Sequence, residues 1–138
     1  MRILTFQTRR FRWTPFQQVL PDAPPAEPGE VTDAVVAFLH VEQGDVVPPR
    51  ATSIFRQTLK HIKWVANKRG LRTIVLHSFT HLGGATAPAD DALGFLKRLD
   101  ERLTSTGYTV HVTPFGWVCE WDLQVRGESM AKVWKAID

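Results

Sequence analysis

The sequence predicts a single domain of the α+β (α/β) class, one mixed sheet covered by about three helices, and three observations carry that reading. Short apolar runs rich in β-branched residues, at 2–6, 33–41 and 72–76, alternate with longer stretches whose apolar residues recur every three or four positions. A strict two-residue alternation runs through 117–125. The 138 residues suffice to bury roughly two-thirds of the unfolded surface around one core.

Residues 2–6 read as a first strand, and 10–14 as a second, aromatic strand paired with it or as a loop, because Pro15 weakens any continuation. Residues 21–30 hold Pro21, Pro24, Pro25 and Pro28, too many for a helix interior or a central strand, and form an extended internal loop. Residues 33–41 are almost continuously apolar, as expected of a strand covered on both faces, and end at Glu42. Between 51 and 69, Ile54, Phe55, Leu59, Ile62, Val65 and Ala66 mark one face of an amphipathic helix that Gly70 stops. A strand at 72–76 then runs into the polar segment 77–84, which holds two histidines, two hydroxyls and a Gly-Gly pair. Leu93, Leu96, Leu99 and Leu103 define a second helix opened by Pro88 and closed at Gly107. Residues 108–113 and 117–125 suggest an antiparallel hairpin around Pro114-Phe115-Gly116. Residues 129–137, with Ser129 as N-cap and Met130, Val133, Trp134 and Ile137 on one side, suggest a short closing helix. The expected order is β(β)βαβαββα.

Composition excludes several classes. No apolar run approaches the ~20 residues that span a bilayer, so no membrane role is expected. A single cysteine forbids an internal disulfide, which makes a cytoplasmic location the simplest expectation. The five histidines offer only His77 and His81 at close spacing, with no cysteine or carboxylate motif beside them, so neither a metal nor another cofactor is expected. The net charge of +3 permits a nucleic-acid partner without requiring one. Arg9, Arg10 and Arg12 surround Phe11, and Arg56, Lys60, His61, Lys63, Lys68 and Arg69 share one short window. These clusters would track a phosphate backbone or form solvated faces.

Taken in order, residues 1–4, the strand from Val35 to Glu42, Phe79-Thr80-His81-Leu82 and Pro114-Phe115-Gly116 resemble the amino-terminal editing domain of archaeal-type threonyl-tRNA synthetases, whose fold is shared with D-aminoacyl-tRNA deacylases. The resemblance spans nearly the whole chain, leaving no room for a synthetase catalytic core, so a freestanding domain is expected. It implies hydrolysis of the ester that joins a wrongly attached small amino acid, of the seryl or threonyl type, to the 3′ end of a tRNA, and a homodimer. His81 matches the histidine of the family's Phe-x-His-Leu segment. Gly83 and Gly84 would let backbone amides approach the substrate, and Glu42, His77, Phe115, Gly116, Trp117 and Val118 are further substrate-binding candidates. Lys60, Lys63 and Lys68 are candidates for the tRNA phosphates.

The pocket departs from the family pattern. Where the family reads Pro-Phe-Gly-Tyr-Tyr-Lys, this chain has Val118 at the second tyrosine and Cys119 at the lysine; a family glutamate on the last helix falls at Lys132, and Phe6-Gln7-Thr8-Arg9 replaces Ile-His-x-Asp. Two catalytic readings follow: Lys132 supplies the missing ammonium from the last helix, or Cys119 is a nucleophile activated by His81 or Lys132, giving aminoacyl transfer. A third is a module that binds aminoacyl-tRNA without turnover. Trp117 and Trp121 would stack on the terminal adenine or pack in a core or dimer.

Overall fold

The computed structural model describes residues 1–138 and contains one six-stranded mixed sheet and two α-helices. Strand β1 (Arg2–Gln18) runs through the region expected to hold two strands; β2 (Gly29–His40) follows the proline loop, then helix α1 (Arg50–Asn67), β3 (Thr73–Ser78), helix α2 (Ala89–Ser105), β4 (Thr109–Val112), β5 (Trp117–Val125) and β6 (Lys132–Ala136). Spatial order is β4-β3-β2-β1-β5, with β6 also on β1. β2, β3 and β4 are parallel to one another, and every pairing of β1 is antiparallel.

β1 accommodates Pro15 because its pairing with β2 stops at Trp13↔Gly29, and because the register with β5 slips between Pro15 and Gln17. A proline there costs no ladder bond on the β2 side. A second slip, between Thr8 and Arg10, divides the strand. Residues 2–6 pair with β6 and residues 8–18 with β5, so one edge of β1 serves two partners in succession.

Two sequence expectations are corrected here. Residues 129–137 do not form a third helix: a 3-10 turn at Ser129–Ala131 leads into β6, whose Val133 and Trp134 pair with Thr5 and Leu4. The three-to-four spacing of Met130, Val133, Trp134 and Ile137 fits a helix, but so short a helix is marginal in water, and the open edge of β1 offers a full ladder of hydrogen bonds. β4 and β5 do not form a hairpin either. They lie at opposite ends of the sheet, and Pro114-Phe115-Gly116 carries the chain across. Gly116 makes that turn at φ +85°, and its carbonyl accepts the Val19 and Leu20 N–H groups at 2.8 and 3.2 Å.

The helices cover one face only. Ile54, Ile62 and Val65 of α1 and Phe95, Leu96, Leu99 and Leu103 of α2 pack on Ile3, Val35, Leu39, Ile74 and Leu76. The opposite face buries Phe11, Trp13, Val36, Phe38 and Val75 without helical cover. It does so by curling: Trp121 of β5 stacks on Phe38 of β2 at 4.8 Å, and Trp13 of β1 reaches His111 of β4, across the sheet, at 6.2 Å. The distal half of β1 and β5 thus form a flap over β2, β3 and β4. Phe11, on the inner side of that flap, is fully buried. Phe11→Ala should cost about 3–5 kcal/mol if the flap belongs to the cooperative core. Urea unfolding should show a lower midpoint with the slope unchanged; a cost under about 1 kcal/mol would show the flap to be loosely attached.

His61 of α1 is buried against Trp64, and its Nε2 has no partner. Burial, with Lys135 adding to it, pushes its pKa down to about 4. The unfolded chain, with an imidazole near 6.5, therefore binds a proton that the folded chain rejects. That share of stability is complete above about pH 6.5 and is lost as pH falls toward about 4. His61→Leu should lessen the fall in urea midpoint between pH 7 and pH 5, and an unchanged fall would contradict this.

Candidate functional site

β3 and β4 are parallel, and ligands of such sheets gather where parallel strands end. Just beyond the carboxyl ends of β3 and β4 lies a cavity of about 390 Å³. His77, Ser78, Phe79, Thr80 and His81 form one wall as β3 runs out. The chain from Pro114 to Cys119, with Trp121, forms the facing wall, Val19 and Leu20 close one side, and Ala89 and Ala92 of α2 close another. The cavity is lined without a single Asp, Glu, Lys or Arg, which leaves His77, His81 and Cys119 as its titratable groups.

His77 is almost wholly buried. Its ring meets Phe38 and Trp121 edge-on, each at 5.2 Å, and its Nδ1 lies 2.7 Å from Thr113 Oγ1. Burial pushes its pKa down to about 4, so the ring is neutral at physiological pH. His81 is different: it is exposed at the rim, meets Phe79 edge-on at 5.2 Å and makes no side-chain hydrogen bond.

The loop between β3 and α2 is held from below. Leu82 N–H donates to His40 Nδ1 at 3.2 Å, so the His40 proton sits on Nε2 and is donated to Thr86 Oγ1 at 3.0 Å. Burial lowers the pKa of His40, in keeping with this neutral form. Glu42 accepts the Gly84 N–H at 2.7 Å and the Met1 ammonium at 3.0 Å. Burial opposes its ionisation, but these two bonds, together with the positive charges of Met1 and Arg2, hold the carboxyl below its ordinary range. Gly83 is required by the same clamp, since a Cβ there would lie 2.6 Å from Arg2 Cγ and 2.8 Å from Glu42 Oε2. Glu42, Gly83 and Gly84, expected to face substrate, therefore pack on one another outside the cavity.

At the far side, α2 starts without a capping side chain, its N-cap being Pro88. Ala92 N–H donates to the Pro88 carbonyl, which leaves the first-turn amides of Ala89, Asp90 and Asp91 without helical acceptors; of these residues Ala89 lines the cavity. Free amides at a helix start suit a developing oxyanion.

The remaining candidates divide. Phe115, Gly116, Trp117, Val118 and Cys119 all line the cavity. Trp117 is tied by Nε1–H to the Pro24 carbonyl at 2.9 Å, which docks the proline loop against the start of β5. No hydrogen bond joins Cys119 to His81 or Lys132, and burial pushes its thiol pKa up, away from the thiolate a nucleophile needs. Lys132 lies in β6 opposite Phe6, exposed, with Nζ 3.5 Å from the Gly127 carbonyl and outside the cavity; it replaces no ammonium there. Lys60 and Lys63 of α1 and Lys68, its C-cap, all lie outside the cavity lining, and Lys68 sits over the Trp64 ring at 5.6 Å. Arg10 pairs with Glu30, and Arg12 with Asp122 at 3.1 Å, so much of the amino-terminal basic cluster is neutralised within the sheet.

Sequence reasoning missed Thr113 and His40. Each stands at the end of a β-rich run beside a motif that was recognised, Thr113 before Pro114-Phe115-Gly116 and His40 before Glu42. A polar residue ending an apolar strand was the available signal.

Comparison with known proteins bears on this site. A family model described as the archaea-specific editing domain of threonyl-tRNA synthetase matches residues 1–137. The threonine–tRNA ligase of Cenarchaeum symbiosum (strain A) is 31% identical over 140 residues, covering 99% of this chain and 21% of that protein. That of Methanopyrus kandleri is 30% identical over 120 residues, covering 87% and 19%. The chain thus spans about a fifth of the length of the curated relatives it matches. Among solved structures, the c-Myc DNA unwinding element binding protein superposes with a TM-score of 0.67 at 15% identity, over 100% of this chain and 99% of that one, which shows a shared fold. A match of this extent, joined to the parallel-strand cavity bounded by the Phe-x-His-Leu and Pro-Phe-Gly segments, shows that the chain belongs to the archaea-specific editing-domain family of threonyl-tRNA synthetase.

Proposed function

We propose that this chain is an aminoacyl-tRNA deacylase acting in trans, hydrolysing the ester of a mischarged small amino acid, of the seryl or threonyl type, at the 3′ end of a tRNA. The observation that carries this reading is the cavity itself. It has aromatic walls for the terminal adenosine, hydroxyls of Ser78 and Thr80 for a small polar side chain, imidazoles for water, and the start of α2 for the oxyanion. Family membership supports the reaction class. His81, free at the rim, is suited to hold the ribose or the incoming end, and Lys60, Lys63 and Lys68, none of which lines the cavity, are candidates for the acceptor-stem phosphates.

A second reading is favoured by one observation: the family lysine is Cys119 here, and no cationic side chain replaces it in the cavity. On that reading the chain binds charged tRNA without turnover, and binding weakens steeply with salt. Homodimerisation belongs to the first reading, supported by Trp134, 56% exposed, standing beside half-buried Leu4 on the sheet face that carries no helix.

A deacylation assay over a panel of mischarged tRNAs separates the two. The purified chain should release amino acid well above the spontaneous rate, and His81→Ala should slow release; wild-type protein inactive on every charged tRNA would contradict the enzyme reading. Cys119→Ala should retain activity within about twofold, since a half-buried thiol held in its neutral form contributes little as a nucleophile. A loss of a hundredfold or more would restore the aminoacyl-transfer reading. Sedimentation should give a dimer mass for the wild type and a monomer mass for Trp134→Glu; a monomeric wild type would remove the dimer.

A further inference from the structure

Resting on the deacylase reading, we propose that His77 is the general base of the cavity, its Nδ1–H held by Thr113 so that the Nε2 lone pair faces the hydrolytic water. The family resemblance points instead to His81, and the geometry around the two rings separates them.

The tautomer follows from the neighbours of Thr113. Its hydroxyl lies 2.7 Å from His77 Nδ1 and 3.4 Å from the Leu76 carbonyl oxygen. A carbonyl only accepts, so the hydroxyl proton directed there leaves the hydroxyl oxygen as acceptor for an Nδ1–H. The Leu76 carbonyl also accepts the Thr113 N–H at 3.1 Å, and the proposed tautomer is the one in which the Thr113 hydroxyl bonds both neighbours at once. Nε2 has no hydrogen-bond partner and is not fully occluded, and His77 lines the cavity. Phe38, Phe79 and Trp121 fix the ring plane. A base locked in rotamer and tautomer, with its lone pair toward a cavity, is arranged for proton transfer.

The groups packed around His77 place no charge beside it. β2 contributes Phe38, the residue just past β4 contributes Thr113, β5 contributes Trp121, and the loop after β3 contributes Phe79; Cys119 and His81 line the same cavity, and His111, two residues before Thr113, faces Trp13 instead. The low pKa that follows makes the neutral ring fully available at pH 7. It also makes the imidazolium a strong acid once formed. In the step, a water oxygen bonds to the ester carbonyl carbon while Nε2 takes one water proton. The tetrahedral intermediate then breaks its bond to the ribose oxygen, and that oxygen recovers the proton from Nε2. Ester and water become free amino acid and the tRNA hydroxyl, and His77 ends as it began.

The test joins kinetics to a substrate-free measurement. His77→Asn should lower kcat by about a hundredfold or more, within the usual range for a general base, with KM changed less than about threefold. Thr113→Val should lower kcat about tenfold, and Thr113→Ser, which keeps the hydroxyl, should restore it to within about threefold. After subtraction of spontaneous hydrolysis, wild-type kcat should be level between about pH 5.5 and 8, because the proton on His77 is lost near 4. Long-range proton–nitrogen spectra of the free wild-type protein at pH 7 should place the His77 proton on Nδ1. A proton on Nε2, undiminished turnover in His77→Asn, or a kcat that falls away below about pH 6.5 would each overturn the assignment while leaving the deacylase reading intact. Absence of turnover in the wild type would remove that reading, and this assignment with it. Unfolding midpoints of the variants guard against loss of fold, and the spectra of the wild type do not depend on any variant.

Discussion

The structure depends on how β1 distributes its two edges. One edge pairs with β2 from Arg2 to Trp13; the other is shared, β6 taking residues 2–6 and β5 taking residues 8–18. The register slip between Thr8 and Arg10 makes that division possible, since an inserted residue sharpens the twist of the bulged strand. Without the bend, β5 would extend the sheet edgewise. With it, β5 folds over β2 and β3, so that Trp121 reaches Phe38 and His77. The second core and the cavity are both products of that curl.

The electrostatics of the cavity follow from the same arrangement. The ionised groups near the site are held outside it: Glu42 by the Met1 ammonium and the Gly84 amide, Asp45 by the Met1 ammonium at 2.7 Å, and Arg2 by Asp138. These bonds brace the loop after β3 from behind and leave imidazoles, hydroxyls, a thiol and aromatic rings facing the cavity. The helix-start amides of α2 share their turn with the carboxylates of Asp90 and Asp91, which lie outside the cavity lining. The geometry therefore favours neutral acid–base chemistry over chemistry built on a lysine.

Much of this was legible in the sequence, for local reasons. The continuous apolar run of β2 and the three-to-four periodicity of α1 and α2 are strong signals because each element meets its burial requirement within its own residues. Ile74 to Gly84 read as a buried strand delivering polar groups to a rim, and the strand proper is Thr73–Ser78, with Phe79 to His81 running on along the cavity. What failed depended on distant partners. β6 read as a helix because only the open edge of β1 makes it a strand, and β4 and β5 read as a hairpin because proximity in sequence concealed their separation across the sheet. At the site, Gly83 and Gly84 promised an approach to substrate, whereas the residue they approach is Glu42. Lys132 promised an ammonium only while its segment was read as a helix.

The central claim, that the cavity at the ends of β3 and β4 receives the aminoacylated end of a tRNA, is tested most directly by titrating the labelled protein with a hydrolysis-resistant amide analogue of 3′-seryl adenosine and following amide and imidazole resonances. Saturable shifts centred on His77, Ser78, His81, Trp117 and Trp121 are the predicted result. Shifts centred elsewhere, or no saturable change, would contradict the account.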